Sequence, residues 1–165
     1  MVFYDASGTN RHCDVFIDKL EFCHDIDFQD RLEVDYPTIP LVELLLEKMQ
    51  IVKLNEKDVI DTIMLLREHE VGDSDKEKIN AGRLAKLTGH DWGLWKTVTT
   101  NLEKVRDAAK TNPKLLEEDK KGVDSKITAL RARIDSESKS RGWKMRAAIG
   151  EKRQWYRDVD ELVRE

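Results

Sequence analysis

Leu41-Val42-Glu43-Leu44-Leu45-Leu46-Glu47-Lys48-Met49-Gln50, followed after a short gap by Asn55-Glu56-Lys57-Asp58-Val59-Ile60-Asp61, is the stretch that decides the fold. Leu41, Leu44, Leu45, Lys48, Met49 and Val52 recur at helical spacing, which predicts one helix over residues 41–54 with Pro40 at its start. Asn55 is a helix N-cap and Asp58, three residues on, is an acidic near-match to a capping box. Val59, Ile60, Ile63, Met64 and Leu66 give this second helix its apolar face, with a stop expected around residues 69–72.

The chain toward the amino terminus reads differently. Val2-Phe3-Tyr4 is short and β-prone, and a turn-forming cluster follows at residues 6–10. In residues 12–18, Cys13, Val15 and Ile17 alternate with His12, Asp14, Phe16 and Asp18, as in a strand. The two runs are expected to pair antiparallel, with Val15 and Ile17 against helix 41–54. Residues 20–24 form a further candidate strand, and residues 25–37 show no clear period.

Toward the carboxyl terminus the pattern is helical. Residues 73–78 form a polar boundary. Ile79, Leu84 and Leu87 suggest a short helix ending at Gly89, and Asp91 caps a longer one through Trp92, Trp95, Val98, Leu102, Val105 and Ala109. Pro113 breaks it. Val123, Ile127, Leu130 and Ile134, then Met145, Ile149, Trp155, Val159 and Leu162, follow a heptad-like spacing. Two long helices are expected, or one with a weak point near residues 140–142. The fold class is therefore α+β: mainly helical, with a small antiparallel β element at the amino terminus packed on helices and long carboxyl-terminal helices.

The 165 residues suffice for one ordinary domain, and 38% of them are charged. No apolar run approaches the roughly 20 residues that span a bilayer. The opening residues lack the basic and apolar regions of a signal peptide. Two cysteines are too few for a disulfide framework, which points to a reducing cytoplasm. Residues 1–100 carry 12 Lys+Arg against 20 Asp+Glu, and residues 101–165 carry 17 against 13. An acidic front and a basic back favour self-association or an acidic partner.

The strand with Asp14 and the two helices after Pro40 together resemble the later part of the minimal nucleotidyltransferases with a DNA polymerase β-like fold. The abortive-infection toxin and antitoxin branches are closest in flavour. The resemblance covers residues 1–70. It divides the chain into a partial nucleotidyltransferase-like domain over 1–72 and a helical region over 73–165. It implies transfer of a nucleoside monophosphate from an NTP to a hydroxyl, with Asp14 as a Mg²⁺ ligand or proton-accepting base. Lys48 would be a phosphate contact, and the nucleotide-side role extends to Lys57, which with Asp58 and Asp61 also locks the helices onto the sheet. The family's Gly-Ser turn and preceding Asp-x-Asp pair are not found. Asp25-Ile26-Asp27 has that spacing but follows the strand. The chain is thus expected to be incomplete as a catalyst and inactive alone. Its uncovered sheet edge is expected to pair in a homodimer, to take a partner chain, or to be covered by the carboxyl-terminal helices.

Other constellations carry less. Asp14 and Asp18 share a strand face, but four strand residues span ~13 Å, too far for one ion. His12 and Cys13 point to opposite faces, as do Cys23 and His24, which argues against zinc. No phosphate-cradling glycine loop or nucleophile elbow is present. Lys139, Arg141, Lys144, Arg146, Lys152, Arg153 and Arg157, interleaved with Trp143, Trp155 and Tyr156, mark residues 139–158 as the best nucleic-acid candidate. The four tryptophans are all read as helical. A helical interaction module that binds a protein or RNA is the alternative function.

Overall fold

The computed structural model describes residues 2–6, 9 and 11–159, with Asp14 as backbone only. Its architecture is the mainly helical α+β expected. Three small two-stranded sheets lie in the first half: β1 (Val2–Tyr4) with β2 (His12–Asp14), β3 (Lys19–Glu21) with β4 (Asp25–Asp27), and β5 (Glu70–Gly72) with β6 (Lys78–Asn80). Six helices are found among the described residues: α1 (Leu41–Met49), α2 (Glu56–Glu68), α3 (Ala81–His90), α4 (Trp92–Thr111), α5 (Glu117–Ser136) and α6 (Arg141–Ile149). None is long and apolar enough to cross a membrane.

One apolar core runs through the helices and draws on both sides of residue 72. Leu20, Ile26, Val42, Leu45, Met49 and Leu66 meet Ile79, Leu84, Leu102 and Ile127, all essentially inaccessible to water. The spacing in α5 explains its role: Val123, Ile127, Leu130 and Ile134 form one stripe, and all four are fully buried.

Local chemistry sets the helix ends. The Asn55 side chain accepts a hydrogen bond from the Asp58 amide at 2.8 Å, the cap its position predicts. Asp91 accepts from the amides of Gly93 and Leu94 and starts α4. Helix α1 stops at Met49, five residues short of the expected end. The buried Asn101 side chain of α4 donates to the carbonyls of Met49 and Ile51, at 3.0 and 2.7 Å, and so takes the acceptors the helix leaves open. Gly89 is not a terminator but lies buried inside the last turn of α3. A Cβ there would meet Ser138 O at 3.1 Å, so glycine lets the α5–α6 connection cross close to the helix.

Several expectations are corrected. The amino-terminal runs do pair antiparallel, with Val2 opposite Asp14, but β2 ends at Asp14 rather than residue 18. The chain bends at Ile17, which is 59% exposed and does not pack on α1. Leu20, Ile26 and Phe28, from the β3–β4 hairpin and just beyond it, enter the core instead. Sheet β5–β6 lies in and beside the segment read as a polar boundary, because three-residue strands carry too little periodicity to be seen. The heptad ends with α5: Met145 and Ile149 of α6 are exposed, and Trp155 lies in an extended segment after a 3₁₀ turn (Gly150–Lys152).

Candidate functional site

Lys48 of α1 is half-buried between two carboxylates of α2. Its Nζ donates to Asp58 at 2.9 Å and pairs with Asp61 at 3.0 Å. Burial alone would lower its pKa, but the two carboxylates outweigh burial and raise it. Lys48, Asp58 and Asp61 therefore bolt α1 to α2; this joins helix to helix, whereas the resemblance implied that Lys57, Asp58 and Asp61 lock the helices onto the sheet. Lys57 is exposed in the first turn of α2. Asp14 lies on β2, and its side chain falls outside the described residues. Hairpin β1–β2 makes its principal contacts within itself.

The donor set for a metal can be tested directly. Among the described residues no group of three or more His, Cys, Asp or Glu side chains could hold an ion. Mg²⁺ needs several hard oxygens in near-octahedral array, so the described residues do not fit it. Cys23 is buried and Cys13 exposed, and among the described residues neither joins a metal-binding group with His12 or His24.

A second cluster ties the β region to the helices. Glu43 has no exposed surface. The Arg31 guanidinium grips it with two hydrogen bonds, Nε to Oε1 at 2.7 Å and Nη2 to Oε2 at 3.0 Å. The same guanidinium binds Asp75 in the β5–β6 connection at 2.8 and 3.1 Å. Arg83 of α3 adds a contact to Glu43 at 3.3 Å, and Asn80 donates to Asp75. Hydrogen bonds from Arg31, chiefly, hold the Asp75 carboxyl below the usual aspartate range. Every member is paired, as a rigid structural joint requires.

The third feature is the segment after α6. Residues 150–158 run back over the start of α4 and the β3–β4 turn. The Arg157 amide donates to Cys23 O at 3.0 Å, and its guanidinium pairs with Asp25. Trp155 packs edge-on against Trp92 at 6.0 Å and donates its indole N–H to Thr97 at 3.1 Å. Thr97 is in turn 2.8 Å from His24 Nε2. Burial pushes the His24 pKa down, which keeps the ring neutral and able to accept from the Thr97 hydroxyl. Arg146 lies over the Trp92 ring at 4.7 Å and donates to the carbonyls of Gly150 and Arg153. All four tryptophans meet here, since Trp95 also packs on Trp92 and on Trp143.

A cleft of about 420 Å³ remains between this strap and the body, with His24, Asp25, Asp91 and Arg153 in its wall. Its charges are largely spent internally: Asp91 caps α4, Asp25 holds Arg157, and Arg146 is bound to carbonyls. Of the basic stretch 139–158, Lys139, Arg146 and Arg157 are thus engaged within the chain, because Lys139 caps the Ile134 carbonyl. Sequence reading missed the Arg31–Glu43–Asp75 joint and the His24–Thr97–Trp155 chain. The only local signal was an acid, Glu43, inside a leucine-rich run.

Gly93 makes the strap possible. A Cβ there would lie 2.6 Å from Trp155 O. Gly93→Ala is therefore expected to weaken strap docking by about 1–3 kcal/mol, the usual cost of overpacking. Trypsin should then cut after Lys152, Arg153 or Arg157 faster than in the parent, with the helical circular dichroism unchanged. Equal cleavage rates would show that the strap does not depend on this approach.

No protein-family model matches the chain, and no curated protein or solved structure shows significant similarity to it.

Proposed function

We propose that this chain is the carboxyl-terminal part of a nucleotidyltransferase-like assembly, inactive alone, with hairpin β1–β2 as the place where the catalytic front docks. The observation that carries the reading is the exposure of that hairpin. Val2, Phe3 and Tyr4 are each at least half exposed, and Phe16 and Ile17 just beyond β2 are exposed too. A two-stranded hairpin is marginal by itself and needs further strands or a packed face. Apolar strand residues left open in this way mark a surface that another segment covers.

The docked segment would carry the Gly-Ser turn, which residues 1–165 lack, and an Asp-x-Asp pair ahead of the Asp14 strand, where this sequence has none. The reaction would move a nucleoside monophosphate from an NTP to a hydroxyl of a protein, an RNA or a small molecule. Asp14 would contribute one carboxylate from β2. Lys57, exposed in the first turn of α2, would contact a phosphate directly, whereas Lys48 would first have to leave Asp58 and Asp61.

Purified 1–165, incubated with labelled NTPs and Mg²⁺ or Mn²⁺, is expected to show no transfer. Each missing electrostatic group typically costs ~3 kcal/mol or more of transition-state stabilisation, so the missing groups together remove nearly all rate. Co-expression with a polypeptide bearing a Gly-Ser and Asp-x-Asp front is expected to restore labelling, and Asp14→Asn to abolish it. Labelling by 1–165 alone, lost in Asp14→Asn, would make the chain an autonomous enzyme. No labelling after the front is supplied would leave the interaction-module reading in its place.

A further inference from the structure

Two surfaces of this chain are complementary to each other, and neither belongs to the β1–β2 hairpin. The first is the connection between β4 and α1. Its residues 30–36 expose Leu32, Val34 and Tyr36, the last 86% accessible. Asp30 and Glu33 are exposed and Asp35 half-exposed, and none of the three forms an ion pair among the described residues. The one cation in the segment, Arg31, is turned inward to Glu43 and Asp75. The exposed charge is therefore entirely negative.

The second is the outer face of α6. Trp143 and Arg146 pack inward against Trp95 and Trp92. Helical spacing then places Arg141, Lys144, Met145 and Ile149 together on the opposite side. Met145 is 72% exposed and Ile149 is also exposed, although a residue of either type is normally buried. Arg141 and Lys144 form no ion pair among the described residues, and Glu151, just past the helix, is taken by Lys96. This face carries two exposed apolar side chains, Met145 and Ile149, beside two exposed cations, Arg141 and Lys144.

We infer that a second copy of this chain docks here, the acidic apolar segment 30–36 of one protomer against the basic apolar face of α6 of the other. The grounds are charge complementarity and matched apolar exposure, at a scale where isolated exposed side chains would need no explanation but two same-sign clusters beside exposed apolar side chains do. Each protomer carries both halves of the contact. Mutual engagement closes a dimer, and one-way engagement builds a chain of protomers. The acidic front and basic back of the sequence are the long-range counterpart of this match.

The test is the mass of purified 1–165 by light scattering, from about 5 to 200 µM, in low salt and again at about 0.5 M NaCl, where charge attraction is screened beyond a few ångströms. Mass is expected to rise above the monomer with concentration in low salt and to fall back in high salt. Arg141→Glu with Lys144→Glu should be monomeric, as should Glu33→Lys with Asp35→Lys, each with unchanged circular dichroism. Mixing the two reversed variants should restore association, because each then offers the charge the other needs. A monomer throughout overturns the inference. So does association that survives both reversals but is lost in Phe3→Asp, which would place the interface on the hairpin. Neither outcome touches the labelling experiment that tests the transferase reading.

Discussion

Arg31→Ala is expected to destabilise the protein by about 3–5 kcal/mol, because it leaves the fully buried Glu43 carboxylate with only the longer contact from Arg83. The ion pair itself need not be a net source of stability. What costs is the charge abandoned in the interior, which has lost two short hydrogen bonds from one guanidinium. Two companions separate these effects. Arg31→Lys keeps the charge but not the fork that grips Glu43 and Asp75 together, and should fall between parent and alanine. Arg31→Met combined with Glu43→Leu removes both charges and should recover most of the loss. Urea denaturation measures all three. A loss below about 1 kcal/mol in Arg31→Ala would mean that Glu43 finds another partner. Acid acts on the same joint. Asp75 is held below its usual range, so its contribution is complete above the ordinary aspartate value, about 4, and is lost as pH falls below it. The gap between parent and Arg31→Ala should narrow there.

Leu45→Ala in α1 is expected to cost about 2–5 kcal/mol, the range for truncating a fully buried leucine. The informative part is where the change is seen. All four tryptophans lie beyond residue 90, in α4, α6 and the strap. The core that holds Leu45 also holds Leu94, Val98 and Leu102 of α4. Tryptophan fluorescence and far-ultraviolet circular dichroism should therefore report one coincident urea transition, shifted equally by Leu45→Ala. A fluorescence transition that stays in place would show that residues 73–165 fold independently of α1.

The candidate site was only partly legible. Lys48 falls in the helical spacing of a leucine-rich helix, and Asp58 and Asp61 are acids at fixed offsets on the next helix. Their pairing follows once the two helices are adjacent, which the sequence could suggest but not place. The Arg31–Glu43–Asp75–Arg83 joint unites residues separated by up to 52 positions, and no local pattern announces such a set. The His24–Thr97–Trp155 chain is of the same kind. Basic residues 139–158 looked alike in sequence, and only packing divided them into cations consumed by carbonyls, rings and Asp25 and cations left on the surface.

By itself the sequence determined helices α2, α4 and α5 and the caps of the first two. Periodicity and short-range capping act within three or four residues, so α2, α4 and α5 could be read from Asn55, Asp91 and the stripe Val123–Ile134. It also determined the antiparallel pairing of Val2–Tyr4 with the strand bearing Asp14. The tertiary structure decided what local rules do not reach. It ended α1 at Met49 through Asn101, bent the chain out of β2 before Ile17, broke the heptad after Ile134, and turned the last described residues back across α4 where Gly93 leaves room. Each of these depends on a group far away in sequence that competes for the same backbone or the same space. That competition exists only once the chain has folded.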